Sequence, residues 1–317
     1  MKKMSKFKLL LLPLLLLSLT GCFRTPEEKV QDAFTKTDEA SSAHTDMNIN
    51  IGMKSEGIEI EIPVVISADI DNKTELAEMD LSVSIFGMKV STKMYLDMKN
   101  NISYSQEEDT WVKSVETDTV LPTTANFTFT NVEEQESTEK EYVYKVTISK
   151  ETFMNMMGSL ETTALEDESY EFINDVVLDI YVDKSTGYVT RIYTDLQDAV
   201  KYDAEDVEIT SFNMEIIYSN FDKVSVTEIP EEVVENAIDK EVYELQTYAT
   251  DYISEVEWDN ENYDEYSTYT NTNLEYDGPK PESVNLTLNY GTVVSGTIKI
   301  NGYTMTITDG IVSMPTK

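Results

Sequence analysis

Between residues 47 and 98 hydrophobic and polar positions alternate almost without a break. Met47, Ile49, Ile51 and Met53 are each separated by a polar residue or glycine. Ile58, Ile60, Ile62, Val64, Ile66, Ala68 and Ile70 continue the phase, followed by Met79, Leu81, Val83 and Ile85, then Met88, Val90, Met94, Leu96 and Met98. A period of two places one apolar face on each strand, so the segment predicts a meander of four long antiparallel strands joined by short turns. Pro63 has no N–H to donate and therefore predicts an edge position or a bulge. Shorter strands are expected at 102–105, 110–113, 125–130 and 142–148. A hairpin turning over Asp183 to Gly187 and a last long strand starting at Val207 follow.

Helical spacing appears in three places. In the stretch beginning Arg24-Thr25-Pro26, Thr25 caps, Pro26 takes the first helical position, and Glu28 completes a capping box. Val30, Ala33 and Phe34 then repeat at helical spacing. Residues 149–160 predict a second helix, with Ser149 as its cap and Phe153, Met156 and Met157 clustered. After Pro230, Val234, Ile238, Val242, Leu245, Ala249, Tyr252 and Val256 predict one long amphipathic helix over 231–257. The acid- and tyrosine-rich run 258–283 loses all periodicity and reads as an extended linker. Asp259, Glu261 and Asp264 within it lack the turn glycine and closing glutamate of a calcium loop. Residues 284–317 alternate again, with tight-turn signals at Asn301-Gly302 and Asp309-Gly310. They predict a small β meander that must pack on something else to be stable.

The meander carries a long apolar face, and few helices are available to cover it. A strongly twisted sheet meets that demand by curling towards a barrel with helices across its open side. The expected fold class is therefore α+β: a curved antiparallel half-barrel with helices on the concave face, plus the small C-terminal meander. Ile49, Ile51, Ile62, Val64, Leu81, Val83 and Met94 are the candidate walls of any hollow on that face. The methionines of the strands suit either an irregular packed core or a surface adaptable to varied apolar partners.

The single cysteine changes the picture of where the chain resides. Lys2, Lys3, Lys6 and Lys8 precede an apolar run from Leu9 to Leu19, the layout of a secretory signal. That run is shorter than the roughly 20 residues a spanning helix needs. Leu19-Thr20-Gly21-Cys22 resembles the bacterial lipobox, which implies cleavage before Cys22 and a diacylglyceryl group on its sulfur. Two acyl chains anchor a protein stably where one does so marginally. The resemblance thus implies residues 1–21 as a lipoprotein signal peptide, a membrane anchor at Cys22, and residence on the extracytoplasmic face of the cell membrane.

Charge narrows the partners. The chain has 60 acidic and 24 basic residues, a net charge of −36, and loss of residues 1–21 removes four of the lysines and no acid. Such a surface repels the phosphates of nucleic acids, which are held by Lys and Arg, and anionic lipid head groups beyond the anchor's reach. Nucleic acid is excluded as a partner.

The opening helix, the four-strand meander, the segment around Tyr104 and Trp111, the 182–192 hairpin and the segment 226–238 together make the chain resemble the LolA-like and LppX-like lipoprotein half-barrels over about residues 25–240. The resemblance implies a half-barrel domain over 22–230 and a lipid or lipid-linked group bound between sheet and helices. Catalysis has no support in the motifs. The one histidine, His44, reads as a surface residue, and no nucleophile elbow, phosphate loop, dinucleotide fingerprint or zinc spacing is present. No cofactor or metal is expected. The function expected is a membrane-anchored lipoprotein that binds or carries a hydrophobic ligand. The alternative is a non-catalytic envelope scaffold or sensor with a filled core.

Overall fold

A computed structural model describes residues 24–55, 57–107, 109–115, 128–158, 170–202, 207–259, 267–270, 272, 279–289 and 292–313. Cys22 and the signal segment lie outside these residues, as do Glu261 and Asp264. Helix α1 is Pro26–Asp38, followed by strands β1 (Ser42–Ser55), β2 (Ile58–Asp71), β3 (Leu76–Ile85), β4 (Met88–Asp97), β5 (Ile102–Glu107), β6 (Thr110–Val115), β7 (Phe129–Glu134) and β8 (Glu141–Ile148). Helix α2 (Lys150–Gly158) leads to β9 (Tyr170–Phe172), β10 (Val176–Asp183), β11 (Val189–Asp195), β12 (Val200–Tyr202) and β13 (Val207–Ser219). Then come α3 (Glu231–Asn236), β14 (Ile238–Asp239), α4 (Lys240–Asp259), β15 (Ser267–Tyr269), β16 (Ser283–Asn289), β17 (Thr292–Ile300), β18 (Tyr303–Thr308) and β19 (Ile311–Val312).

The chain divides into two compact units, one of residues 1–101 and 117–228, the other of 102–116 and 229–317. The β5–β6 hairpin thus groups with the C-terminal residues.

In the first unit the strands form a curved, unclosed antiparallel sheet in the order β4-β3-β2-β1-β13-β11-β10-β8-β7, so the fold is an α+β half-barrel. Its helices start where the sequence says they should. The Thr25 hydroxyl accepts from the Glu28 N–H at 3.2 Å, and the Glu28 carboxylate accepts from the Thr25 N–H at 2.9 Å, closing the capping box. Ser149 Oγ accepts from the Thr152 N–H at 3.1 Å at the head of α2. The β10–β11 turn is fixed by Asp183, whose Oδ1 accepts from the Ser185 and Thr186 N–H groups at 2.9 and 2.7 Å. The hydrogen bonds from Ser185 and Thr186 hold its carboxyl down to about 2.

Pro63 occupies an edge-like position. The β2–β3 ladder runs from Val64 opposite Val83 to Asp71 opposite Leu76, so residues 58–63 of β2 extend past its end. A missing N–H costs little there.

The core of this unit joins Val30, Ala33 and Phe34 of α1 and Phe153 of α2 to the inward phase of the sheet: Tyr144, Val146, Ile148, Leu178, Ile180, Ile192, Phe212, Met214 and Ile216. Helix α1 packs on β7 and β11, and Phe34 stacks on Phe129 with ring centres 6.0 Å apart. The helices therefore cover the β7–β13 side of the face.

In the second unit β5 and β6 pair antiparallel, and β14 joins β6 in parallel, Ile238 opposite Val112. A second sheet runs β15-β16-β17-β18-β19. Leu245, Ala249, Tyr252, Ile253 and Val256 of α4 share a core with Val284, Leu286, Leu288, Ile298, Ile300 and Met305 of this sheet. The single helix expected over 231–257 is instead broken. Helix α3 ends at Asn236, Ala237 is extended (φ −69°, ψ 135°), and Ile238-Asp239 form a strand before α4 begins. Pairing of Ile238 with Val112 outweighs a helical turn at a β-branched residue. The expected linker also holds a short strand, β15, whose Tyr269 is buried.

Candidate functional site

The seven candidate wall residues share one face of the first unit's sheet. Register builds them into rows. Ile49 is opposite Met214 on one side and Val64 on the other; Val64 is opposite Val83, and Val83 opposite Val90. The next row holds Phe212, Ile51 and Ile62. On the other side, Met47, Ile66 and Leu81 form a row, and Ala68, Met79 and Met94 another.

Exposure rises along these rows away from the helices. Ile49, Ile51 and Val64 belong to the packed core, while Ile62, Leu81 and Val83 are half-buried against it. Met94 is half-buried opposite Met79. Val90 is 71% exposed, Ile85 and Met88 at the adjoining end of β3 and β4 are exposed, and so is Ile58 at the start of β2. Three of the expected wall residues are thus core, and four lie where the core gives way to surface. Apolar side chains on one uninterrupted face, packed at one end and open at the other, form a shelf that a flexible apolar molecule can extend.

Methionine marks this transition. Met53 and Met79 are half-buried on the core and Met94 sits at its margin. An unbranched thioether side chain re-packs more readily than Val or Ile.

A second concavity lies between α1 and the β8–β10 region. It encloses about 370 Å³, and Arg24, Lys29, Asp32, Lys36, Tyr142 and Tyr144 are among its walls. Its cations are engaged. Arg24 pairs with Asp32, Lys29 Nζ lies 2.8 Å from Glu134, and Lys36 donates to the Thr186 carbonyl. Burial, with help from Glu134 and Tyr142, pushes the Tyr144 hydroxyl up to about 12, so it stays protonated. Sequence reasoning missed this cleft because Arg24 and Lys29 are separated from Tyr142 by more than a hundred residues, and no local pattern joins them.

His44 is more constrained than the surface residue expected. Its ring nitrogens lie 2.6 Å from Asp69 Oδ1 and 3.2 Å from Asp46 Oδ2. The hydrogen bond to Asp69 leads in raising its pKa above 6.5. The Asp69 contact stitches β1 to β2 on the face away from the apolar rows, while Asp46 lies on β1 itself. Among the described residues no group of three or more His, Cys, Asp or Glu side chains is placed to hold a metal ion, and no helix is long and apolar enough to cross a membrane.

No family model matches the chain, and no curated protein sequence matches it. Among solved structures it is similar to LprF from Mycobacterium bovis, at 10% identity and a TM-score of 0.40, over 65% of this chain and 96% of that one. It is similar to the Mycobacterium tuberculosis lipoprotein LppX at 9% identity and a TM-score of 0.39, over 63% and 96% of the two chains. A LolA superfamily protein from Nitrosomonas europaea matches at 8% identity and a TM-score of 0.26, over 64% and 96%.

Proposed function

We propose that the first unit binds a lipid or another apolar ligand along the open end of its sheet face, against Ile62, Leu81, Val83 and Met94. The chain does so as a non-catalytic envelope lipoprotein, held to the extracytoplasmic face of the membrane by a diacylglyceryl group on Cys22. The observation that carries this reading is the row Ile49, Val64, Val83, Val90, along which one apolar face passes from core to solvent. A face built only to be buried gains nothing from extending apolar residues beyond its cover; removal of such surface from water is favourable at roughly 25 cal/mol per Å². An acyl chain laid along the row recovers that free energy. The lipobox at Cys22 supports the location, and the absence of recognisable catalytic motifs in the sequence supports binding over catalysis.

The test is titration of the chain from residue 23 onward, without membranes, with a fluorescent fatty acid. Saturable uptake is expected, and Val83→Trp and Leu81→Asp should each reduce it while the protein still melts cooperatively. Absence of saturable uptake by the wild-type chain overturns the reading.

A further inference from the structure

The cleft between α1 and the β8–β10 region has a charge unlike that of the rest of the chain. Among 60 acidic and 24 basic residues, its walls bring three cations, Arg24, Lys29 and Lys36, against one carboxylate, Asp32, a net of +2. Residues 29, 32, 33 and 36 recur at helical spacing, so α1 turns one face into the cleft. Glu27 lies about half a turn away from that face, and the Glu28 carboxylate is occupied by the Thr25 N–H. Glu141 and Asp183, opposite each other on β8 and β10, take the sheet face away from Tyr142, Tyr144 and Val182. Glu134, the partner of Lys29, is balanced by Lys184, whose Nζ lies 5.1 Å from the centre of the Tyr142 ring.

Their contacts hold these cations in place and leave donors over. Asp32 takes one nitrogen of Arg24, Nη1, and a guanidinium has five N–H donors. Lys29 gives Glu134 one of the three N–H bonds that an ammonium offers. Lys36 and Lys184 donate to the uncharged carbonyls of Thr186 and Thr138, contacts that leave their charge uncancelled. Ala33, Val182 and the Tyr142 ring give an apolar side to a space of about 370 Å³, within the range of roughly 300–1,000 Å³ typical of small-molecule sites. A phosphate monoester fits both halves of this lining. Its phosphate carries about −1.5 to −2 charges at neutral pH, matches the fork of an arginine, and is joined to a carbon skeleton.

We infer that this cleft is a binding site for a phosphate monoester, with Arg24, Lys29 and Lys36 holding the phosphate and the organic part lying against Tyr142 and Val182. The site is separate from the apolar shelf. The shelf is on β2 to β4 and the cleft on α1, β8 and β10, with β1, β13 and β11 between them in the sheet. Such a phosphate comes either from a lipid, brought close by the anchor expected two residues before Arg24, or from a soluble ester.

Calorimetric titration with glycerol 3-phosphate and with monomeric dihexanoyl phosphatidic acid tests this. The protein is the chain from residue 23 onward, which retains every described residue, with its N-terminus acetylated so that no extra cation adjoins Arg24. Wild type should bind glycerol 3-phosphate in a single saturable phase that weakens as salt rises. Arg24→Gln and Lys36→Gln should each weaken it about tenfold, as loss of one charge-assisted hydrogen bond predicts. The Arg24 side chain is exposed, so Arg24→Gln should melt like wild type. Asp32→Asn should strengthen binding severalfold, an effect that a purely structural Arg24–Asp32 pair does not produce. Val83→Trp, on the shelf, should leave glycerol 3-phosphate binding unchanged. Tighter binding of dihexanoyl phosphatidic acid than of glycerol 3-phosphate assigns the site to a lipid phosphate, and equal or weaker binding assigns it to a soluble ester. Absence of saturable binding of both compounds, or equal affinity in wild type, Arg24→Gln and Lys36→Gln, overturns the inference.

Discussion

Val64 and Val90 flank Val83 on a single row of the sheet, one opposite it on β2 and the other opposite it on β4, yet Val64 is 4% exposed and Val90 71%. The same residue type on the same face is core at one end and surface at the other. The gradient should be visible in stability. Ile49→Ala, next to Val64 on the packed side, should cost about 2–5 kcal/mol, whereas Val90→Ala should stay within about 0.5 kcal/mol. Chemical denaturation of both variants checks this; equal losses would mean that the face is packed throughout.

The capping box at the start of α1 should be worth measuring in isolation from the core. Thr25→Ala removes the acceptor for the Glu28 N–H and should cost about 1 kcal/mol. Thr25→Ser should retain nearly all of it. Thermal melts of the two variants, compared with wild type, provide the check.

Asp71 is a buried carboxylate that ties the end of β2 to the segment after β13. It accepts from the Lys73 N–H at 3.0 Å and from the Val226 N–H at 3.3 Å. Asp71→Ala strands both donors and should cost about 1–3 kcal/mol. Hydrogen exchange at Val226 should accelerate in the variant; unchanged exchange would mean that this contact does not hold the segment.

His44 gives stability a pH dependence of defined sign. Its folded-state pKa is raised above 6.5, foremost by the hydrogen bond to Asp69. The folded state therefore holds the proton more tightly than the unfolded chain. The contribution is fully present below pH 6.5 and is lost as pH rises through the raised folded-state pKa. Against a His44→Gln variant, the wild-type melting advantage should shrink as pH is raised across that window. An advantage that grows with pH would reverse the assignment.

Much of this fold is legible in the sequence because the first unit is built from local rules. Period-two alternation from Met47 to Met98 yields β1 to β4, and Thr25, Glu28 and Ser149 announce their helices through bonds three residues long. What was illegible depends on partners far along the chain. The helical spacing of Val234, Ile238 and Val242 conceals a break because nothing near Ile238 reveals that Val112 will pair with it. Val234 is consequently exposed, and Val233 is the buried residue of α3. For the candidate walls, alternation placed all seven on one face of the sheet but held no information on where its cover ends. Ile49 and Val83 have the same phase in sequence and differ only in which elements reach them.

Native mass spectrometry of the full chain, extracted in mild detergent from cells that express it, tests the central claim most directly. The account expects a population carrying one additional apolar molecule, released on unfolding and diminished in Val83→Trp. A protein of bare mass in both forms, with a Val83→Trp variant destabilised as an overpacked core would be, would contradict it.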